Sequence, residues 1–193
     1  MFALFFERLR VMRIISGTRR GQKLFEFEGT DIRPTTDRVR ESMFNLISEY
    51  LCDAHVLDLF GGSGALSFEA LSRGAVDSVL CDVDDKAIAL IRKNAERLKF
   101  KDKTEIVKIS AQQFVEKNTQ RYDIIFLDPP YNKGFIAPVI EGIIRTGALN
   151  EDGIIVLESD FIDEHGEFDG VKILKQRRYG RTYITIYQRG DMQ

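Results

Sequence analysis

A chain of 193 residues, 44% of them hydrophobic, has the size of one domain and can bury a sizeable core. It holds no apolar run near the roughly 20 residues of a membrane helix, so no membrane attachment is expected. The net charge of −2 hides an uneven distribution: residues 8–40 carry nine Lys/Arg against four Asp/Glu, residues 172–189 carry six against none, and residues 41–170 carry 13 against 24.

Basic ends around an acidic middle point to a polyanionic partner, provided the fold brings the ends together. At the N-terminus, "MFALFFERLRV" has neither a basic lead nor a small-residue cleavage site, so it does not read as a signal peptide. Met12 before "RIISG" reads as an alternative start, which leaves residues 1–11 as an extension and residues 12–193 as one domain. Cys52 and Cys81 form no metal-ligand spacing and no disulfide framework. They fit the reducing cytoplasm, and no metal is expected.

"RIISGTRRGQKLFEF" (13–27) reads as a hairpin turning between Gly17 and Gly21, in an N-terminal unit of residues 12–32. "RPTTDRVRESMFNLISEYL" (33–51) reads as a lead-in helix with an apolar face of Val39, Met43, Leu46, Ile47 and Tyr50. The catalytic core, residues 55–189, begins with the buried strand "HVLDLF" (55–60), and "GSGALSFEALSRG" turns into a helix stopped by Gly74. "DSVLCDVD" (77–84) is a second strand, "DKAIALIRKNAERLKF" (85–100) an amphipathic helix, "TEIVKI" (104–109) a third strand and "AQQFVEK" a short helix. "YDIIFL" (122–127) is the fourth strand, "FIAPVIEGIIRTG" (135–147) a helix and "GIIVLES" (153–159) the fifth strand. This alternation predicts an α/β fold, a mostly parallel sheet with helices on both faces, whose ligands bind beyond the carboxyl ends of the strands. "GVKILKQRRYGRTYITIYQR" (170–189) reads as a closing hairpin around Tyr179-Gly180.

Two constellations carry chemistry. In "DLFGGSGAL" (58–66), Gly62 and Gly64 let the backbone pass close to a ligand. Asp82, at the next strand end, stands where a carboxylate takes the hydroxyls of an adenosine ribose. The dinucleotide pattern G-x-G-x-x-G would need glycine at Phe68, and Asp58 would repel a pyrophosphate. An acid there suits a cationic ligand, and D-x-F-x-G-x-G resembles the S-adenosylmethionine motif of methyltransferases. In "LDPPY" (127–131), Asp128 and the Pro129 carbonyl can accept hydrogen bonds from a planar amino group. Pro129 and Pro130 fix the corner, and Tyr131 can stack on a base taken out of its own stack. A fixed carboxylate opposes the positive charge that grows on the nitrogen as a methyl arrives. Adenine N6, guanine N2, cytosine N4 and a glutamine amide all fit this corner. His55, at the wrong end of the first strand, and His165, in the acidic loop "DEHGEFDG", read as structural or solvated.

From Met12 to Arg189 the chain resembles the bacterial 16S ribosomal RNA guanine-N2 methyltransferases. The likeness rests on "MRIISGTRRGQKL", "RPTTDRVRESMFN", "DLFGGSGALSFEALSRGA", "DPPY" and "RRYGRTYITIY". It implies a Rossmann-like class I fold with a seven-stranded sheet in the order 3-2-1-4-5-7-6, the last strand antiparallel. It also implies methyl transfer from S-adenosylmethionine to N2 of one guanine of 16S rRNA, presented in an assembled or partly assembled small subunit. Asp58, Phe60, Gly62, Ser63 and Gly64 would then line the cofactor's methionine, Asp82 and Val83 its ribose side, and Ala111 and Gln112 its adenine. Arg19, Arg20, Lys23, Arg177, Arg178 and Arg181 would meet RNA, and Arg33 and Arg38 either RNA phosphate or the cofactor carboxylate. The alternatives from sequence are a DNA adenine-N6 methyltransferase and a cofactor-binding RNA chaperone without turnover. A monomer is the expected state.

Overall fold

The structure, a computed structural model, describes residues 12–27, 37–130, 134–160 and 166–190. The head, residues 12–27, leads through a helix, α1 (Asp37–Leu46), into alternating strands and helices. These are β1 (His55–Asp58), α2 (Ala65–Ser72), β2 (Asp77–Asp82), α3 (Asp85–Leu98), β3 (Thr104–Lys108), α4 (Ala111–Lys117), β4 (Tyr122–Leu127), α5 (Ile136–Thr146) and β5 (Leu149–Ser159). A hairpin of β6 (Val171–Tyr179) and β7 (Thr182–Arg189) closes the chain. The strands form one seven-stranded sheet in the order β3-β2-β1-β4-β5-β7-β6. β1 to β5 pair in parallel, whereas β7 is antiparallel to both of its neighbours.

The central strands are apolar runs because both of their faces are covered. On one face Val56, Ile124, Phe126, Val156 and Ile184 pack under the head, α1, α2 and α3, with Phe44 and Phe126 in ring contact at 5.8 Å. On the other, Leu57, Ile125, Ile155 and Tyr187 pack under α4 and α5. Local chemistry sets the helix ends. Asp84 caps α3 by accepting from the Lys86 N–H at 3.1 Å, Ser110 caps α4, and Gly147 ends α5 at φ 68°.

Three elements depart from the sequence expectation. β5 starts at Leu149 rather than residue 153, because Leu149 pairs with Tyr122 across a bulge. The polar run Asn150-Glu151-Asp152 lies at its exposed end and hides the strand pattern. The helix expected over 33–51 runs over Asp37–Leu46 and then tightens into a 3-10 turn, Ser48–Tyr50, while Ile47 and Leu51 both stay buried; residues 33–36 lie outside the described residues. The head's hairpin forms no regular strand pair: its arms meet at the Arg13–Lys23 bridge, where Ile14 N–H donates to the Gln22 carbonyl and Leu24 N–H to the Met12 carbonyl, both at 2.9 Å, and Gly21 N–H donates to the Ile14 carbonyl at 2.8 Å. Further backbone groups of the head turn to side chains outside it: the Ile15 and Ser16 N–H groups donate to Glu69 at 2.7 and 3.0 Å, Arg19 N–H to Ser72 Oγ at 2.9 Å, and Phe25 N–H to Asn94 Oδ1 at 2.7 Å.

Candidate active site

β1 ends at Asp58, and the chain then crosses the carboxyl ends of the strands in a tight loop. Gly61 N–H donates to the Cys81 carbonyl at 2.8 Å, and Gly64 N–H to the Gly61 carbonyl at 2.6 Å. Gly62 and Gly64 take φ values of 55° and 80°, where only glycine is relaxed. A Cβ on Gly64 would lie 2.2 Å from the Phe68 ring. Gly61 is constrained by space instead: a Cβ there would lie 2.9 Å from Ile91. The loop is locked to β2 by the Gly62 N–H, which donates to Asp82 Oδ2 at 2.9 Å, while Asp82 Oδ1 accepts from Asp84 N–H at 2.9 Å. Two backbone amides thus aim the Asp82 carboxylate, and each oxygen keeps a lone pair for a ribose hydroxyl.

Asp58 lies buried beneath this loop. Ser67 Oγ donates to its Oδ2 at 3.0 Å, and Phe60 N–H to its Oδ1 at 3.3 Å. Burial pushes its pKa up to about 7, against the pull of those two bonds, and the Asp82 charge adds to the rise. A cationic ligand above the loop would hold it ionised. Around the loop, apolar groups stand open to solvent: Val83 after β2 is 61% exposed, and Phe135 before α5 contacts the Phe60 ring at 6.3 Å. Ala111 and Gln112 open α4, where the first N–H groups of a helix have no carbonyl partner of their own.

The proline corner stands directly beside the loop. Asp58 pairs with Phe126, and Leu59 N–H donates to the Phe126 carbonyl at 3.2 Å. Pro129 is buried, Pro130 exposed and Asp128 half-buried; Tyr131 lies outside the described residues. Alternation along β4 puts Asp128 on the face of Phe126, and the Leu127–Leu157 register sets it beside buried Glu158 of β5. Burial holds the Asp128 carboxyl well above the usual carboxylate range, and the charges of Glu158 and Asp58 push it the same way. The buried guanidinium of Arg40, on α1, feels this cluster. Burial lowers its pKa, while the charges of Asp37, Glu69 and Glu158 oppose that shift. Its Nη2 donates to the Arg13 carbonyl and, at 3.1 Å, to Asp37.

Arg40, Glu158 and Asn94 escaped sequence reading. Glu158 had a signal: like Asp58, Asp82 and Asp128, it is an acid at the carboxyl end of an apolar strand. Arg40 had none, since its neighbours Arg38 and Glu41 are exposed.

The predicted RNA contacts divide between two ends of the molecule. Ser159 of β5 pairs with Tyr183 of β7, so the β6–β7 turn stands at the carboxyl end of the parallel strands, with Asp128. Arg177, Arg178 and Arg181 are exposed there, with Arg178 stacked on the Tyr183 ring at 5.2 Å. Arg38, exposed in the first turn of α1, lies at the same end, because α1 places Arg40 by Glu158. The head's turn lies at the opposite end. α2 and α3 run back against the strands, and the turn packs on their last residues: Arg19 N–H on Ser72, Arg19 Nε on the Leu98 carbonyl at 2.8 Å. Arg19 and Arg20 are therefore separated from the corner by the length of α2, about 12 Å for eight residues. Lys23 lies partway up, bridged to Arg13, and Arg33 lies outside the described residues. His55 pairs with Asp77 at 2.9 Å at the amino end of the sheet; His165 is also outside the described residues. Among the described residues no group of His, Cys, Asp and Glu is placed to hold a metal ion, and no helix is long and apolar enough to cross a membrane.

The family model described as "conserved hypothetical protein 95" matches residues 12–188. The chain is 37% identical over 182 residues to the putative rRNA methyltransferase YlbH of Bacillus subtilis, covering 92% of this chain and 99% of that one. It is 38% identical over 149 residues to the ribosomal RNA small subunit methyltransferase D of Escherichia coli, covering 77% of this chain and 75% of the relative. Among solved structures, the putative methyltransferase yhhF from Escherichia coli superimposes with a TM-score of 0.83 at 32% identity, covering 93% of this chain and 98% of that one.

Proposed function

The chain belongs to the family described as conserved hypothetical protein 95, and from that premise we propose that it transfers a methyl group from S-adenosylmethionine to N2 of a guanine in small-subunit ribosomal RNA. One observation carries the reading: the glycine loop and the Asp128-Pro129-Pro130 corner are neighbours in the sheet, joined through Asp58–Phe126 pairing. A nucleotide-sized ligand on the first therefore reaches a planar amino group held by the second. The loop fits the cofactor in charge and in space, with a buried carboxylate for a cation, an oriented carboxylate for a ribose and glycines where side chains would collide. When bound, S-adenosylmethionine supplies an electrophilic methyl group on a sulfonium.

The residues of the chain do the rest. Asp128 and the Pro129 carbonyl accept the two N–H bonds of the amino group and turn its lone pair toward the methyl. Positive charge grows on the nitrogen during transfer, and Asp128, held ionised against its raised pKa by the positive charge of the bound cofactor, opposes it at short range. Asp128 or Glu158 then takes the proton that the product amine must lose. Tyr131 stacks on the flipped base. Arg38, Arg177, Arg178 and Arg181 hold RNA phosphates around the corner. Arg19 and Arg20 at the far end, with Lys23 partway up, engage a substrate large enough to wrap the molecule, such as an assembled or partly assembled subunit.

The test is methylation of small subunits from cells lacking the protein, with the modified base mapped by mass spectrometry. N2-methylguanosine at one position is the expected result; label going only into duplex DNA, or no transfer, overturns the proposal. Asp128→Ala should lower kcat by about 10²–10³ or more with little effect on cofactor binding. Transfer at an unchanged rate would remove Asp128 from the mechanism.

A further inference from the structure

Asn94 sits in the middle of α3, on the same apolar stripe as Ile91, Ala95 and Leu98, and is completely buried. Asparagine is a poor helix former and a costly group to bury unpaired, so its bonds decide its meaning. Its Oδ1 accepts from Phe25 N–H at 2.7 Å. Its Nδ2 donates to the Phe25 carbonyl at 3.1 Å and to the Ser63 carbonyl at 2.9 Å. One amide thus replaces a strand partner for the head and at the same time holds the peptide between the two left-handed glycines of the loop. The opposite amide orientation is excluded, since it would set oxygen against two carbonyls and nitrogen against an N–H. A second contact joins the same two segments: Ser63 Oγ donates to Met12 Sδ at 3.4 Å.

Glu69 and Ser72 also hold the head, yet none of their bonds described here reaches the loop. The loop itself is intrinsically free at Gly62 and Gly64, and its ties to β2, from Gly61 to Cys81 and from Gly62 to Asp82, both precede Ser63. We propose that Asn94 is a positioning residue that shapes the cofactor loop through Ser63 with the same amide that holds the head at Phe25. Freed from Asn94, the Ser63 peptide samples other orientations, and the fraction of molecules with a binding-competent loop falls. Apparent cofactor affinity falls by that same fraction. The geometry at Asp128 is untouched. The inference rests on the cofactor reading above, and its experiment separates the two.

S-adenosylhomocysteine binding is measured by calorimetry on the full chain for the unsubstituted protein, Asn94→Ala and Ser72→Ala, with thermal unfolding alongside. Ser72→Ala removes bonds to Arg19 N–H and the Ser16 carbonyl at 2.9 and 2.6 Å, so it loosens the head without touching the loop. Both variants should lose thermal stability. Only Asn94→Ala should raise Kd, by about five- to twentyfold, with KM for the cofactor rising in step and kcat at saturation within about threefold. An unchanged Kd in Asn94→Ala, or an equal rise in Ser72→Ala, overturns the proposal. Should Asn94→Ala not fold, hydrogen exchange of the unsubstituted protein decides. Cofactor binding must then slow the Phe25 amide together with those of Gly62 to Gly64, and an unaffected Phe25 amide overturns the coupling. If the unsubstituted protein binds no S-adenosylhomocysteine, the cofactor reading itself falls.

Discussion

Asp58 is a residue whose burial works against stability. Its carboxyl rises from an ordinary value of 3.8 to about 7 because it is buried under the loop. Below about pH 4 it is protonated in both folded and unfolded chains. As pH climbs toward 7 the unfolded chain gives up the proton and the folded one retains it, so the stability that the retained proton represents is progressively lost. Asp128, raised by burial, Glu158 and Asp58, works in the same direction. Asp58→Asn should therefore stabilise the ligand-free protein at pH 8, by on the order of 2–4 kcal/mol, and leave it little changed near pH 4. The same variant should bind S-adenosylhomocysteine at least tenfold more weakly, since no anion remains to face the ligand's ammonium. Urea titrations at the two pH values and one calorimetric titration check both halves; a loss of stability at pH 8 would contradict the burial argument. The carboxylate itself was legible in "DLFGGSG". Its burial and its bond to Ser67 were not, because the eight residues between them leave the strand and return on a helix.

The elements show where local pattern suffices and where it does not. α3 was readable because its cap Asp84 and its apolar spacing are both local. The head was readable only as two arms and a turn, because the side chains that dock its backbone come from α2 and α3, more than 50 residues away. Its two turn glycines look alike in sequence and in φ, at 81° for Gly17 and 80° for Gly21. The packing separates them: a Cβ on Gly17 would lie 1.8 Å from the Ser72 carbonyl oxygen, whereas one on Gly21 meets nothing within 4 Å. Gly21→Ala should cost only the backbone strain, about 1 kcal/mol. Gly17→Ala must also push the turn off α2, for roughly 2–4 kcal/mol in all. Urea denaturation of the two variants checks the difference, and equal costs would mean that the head is not docked as described.

At the scale of the whole molecule, strand direction decides which basic segment stands over the proline corner. β7 returns antiparallel to β5, so the β6–β7 turn stands over the corner. The head's turn is carried by the ends of α2 and α3 to the opposite side. Replacing Arg177, Arg178 and Arg181 together by alanine should raise KM for the subunit and flatten the log–log salt dependence of RNA binding by about 2–3. Replacing Arg20 alone should leave binding of a short RNA hairpin nearly unchanged and weaken only the intact subunit. Filter binding at several salt concentrations distinguishes the two sets; equal effects on the short hairpin would mean that both ends contact the same RNA segment.

By itself the sequence determined the alternation of strands and helices, the glycine turn after the first strand and the proline corner after the fourth, because periodicity, glycine freedom and proline geometry act over a few residues. It also supplied the acid at each of these strand ends. The adjacency of β1 and β4 came from the family resemblance and not from local pattern, and only the tertiary structure decided that Glu158 stands beside Asp128 and that a buried Arg40 faces this cluster from α1. It alone showed that Asn94 ties the head to the loop, and that one basic end stands over the corner while the other lies at the opposite end of the strands. The physical reason is common to all of these. Strand order, helix direction and the burial of a charge depend on contacts between residues tens of positions apart, and no local pattern encodes which distant partner a side chain will meet.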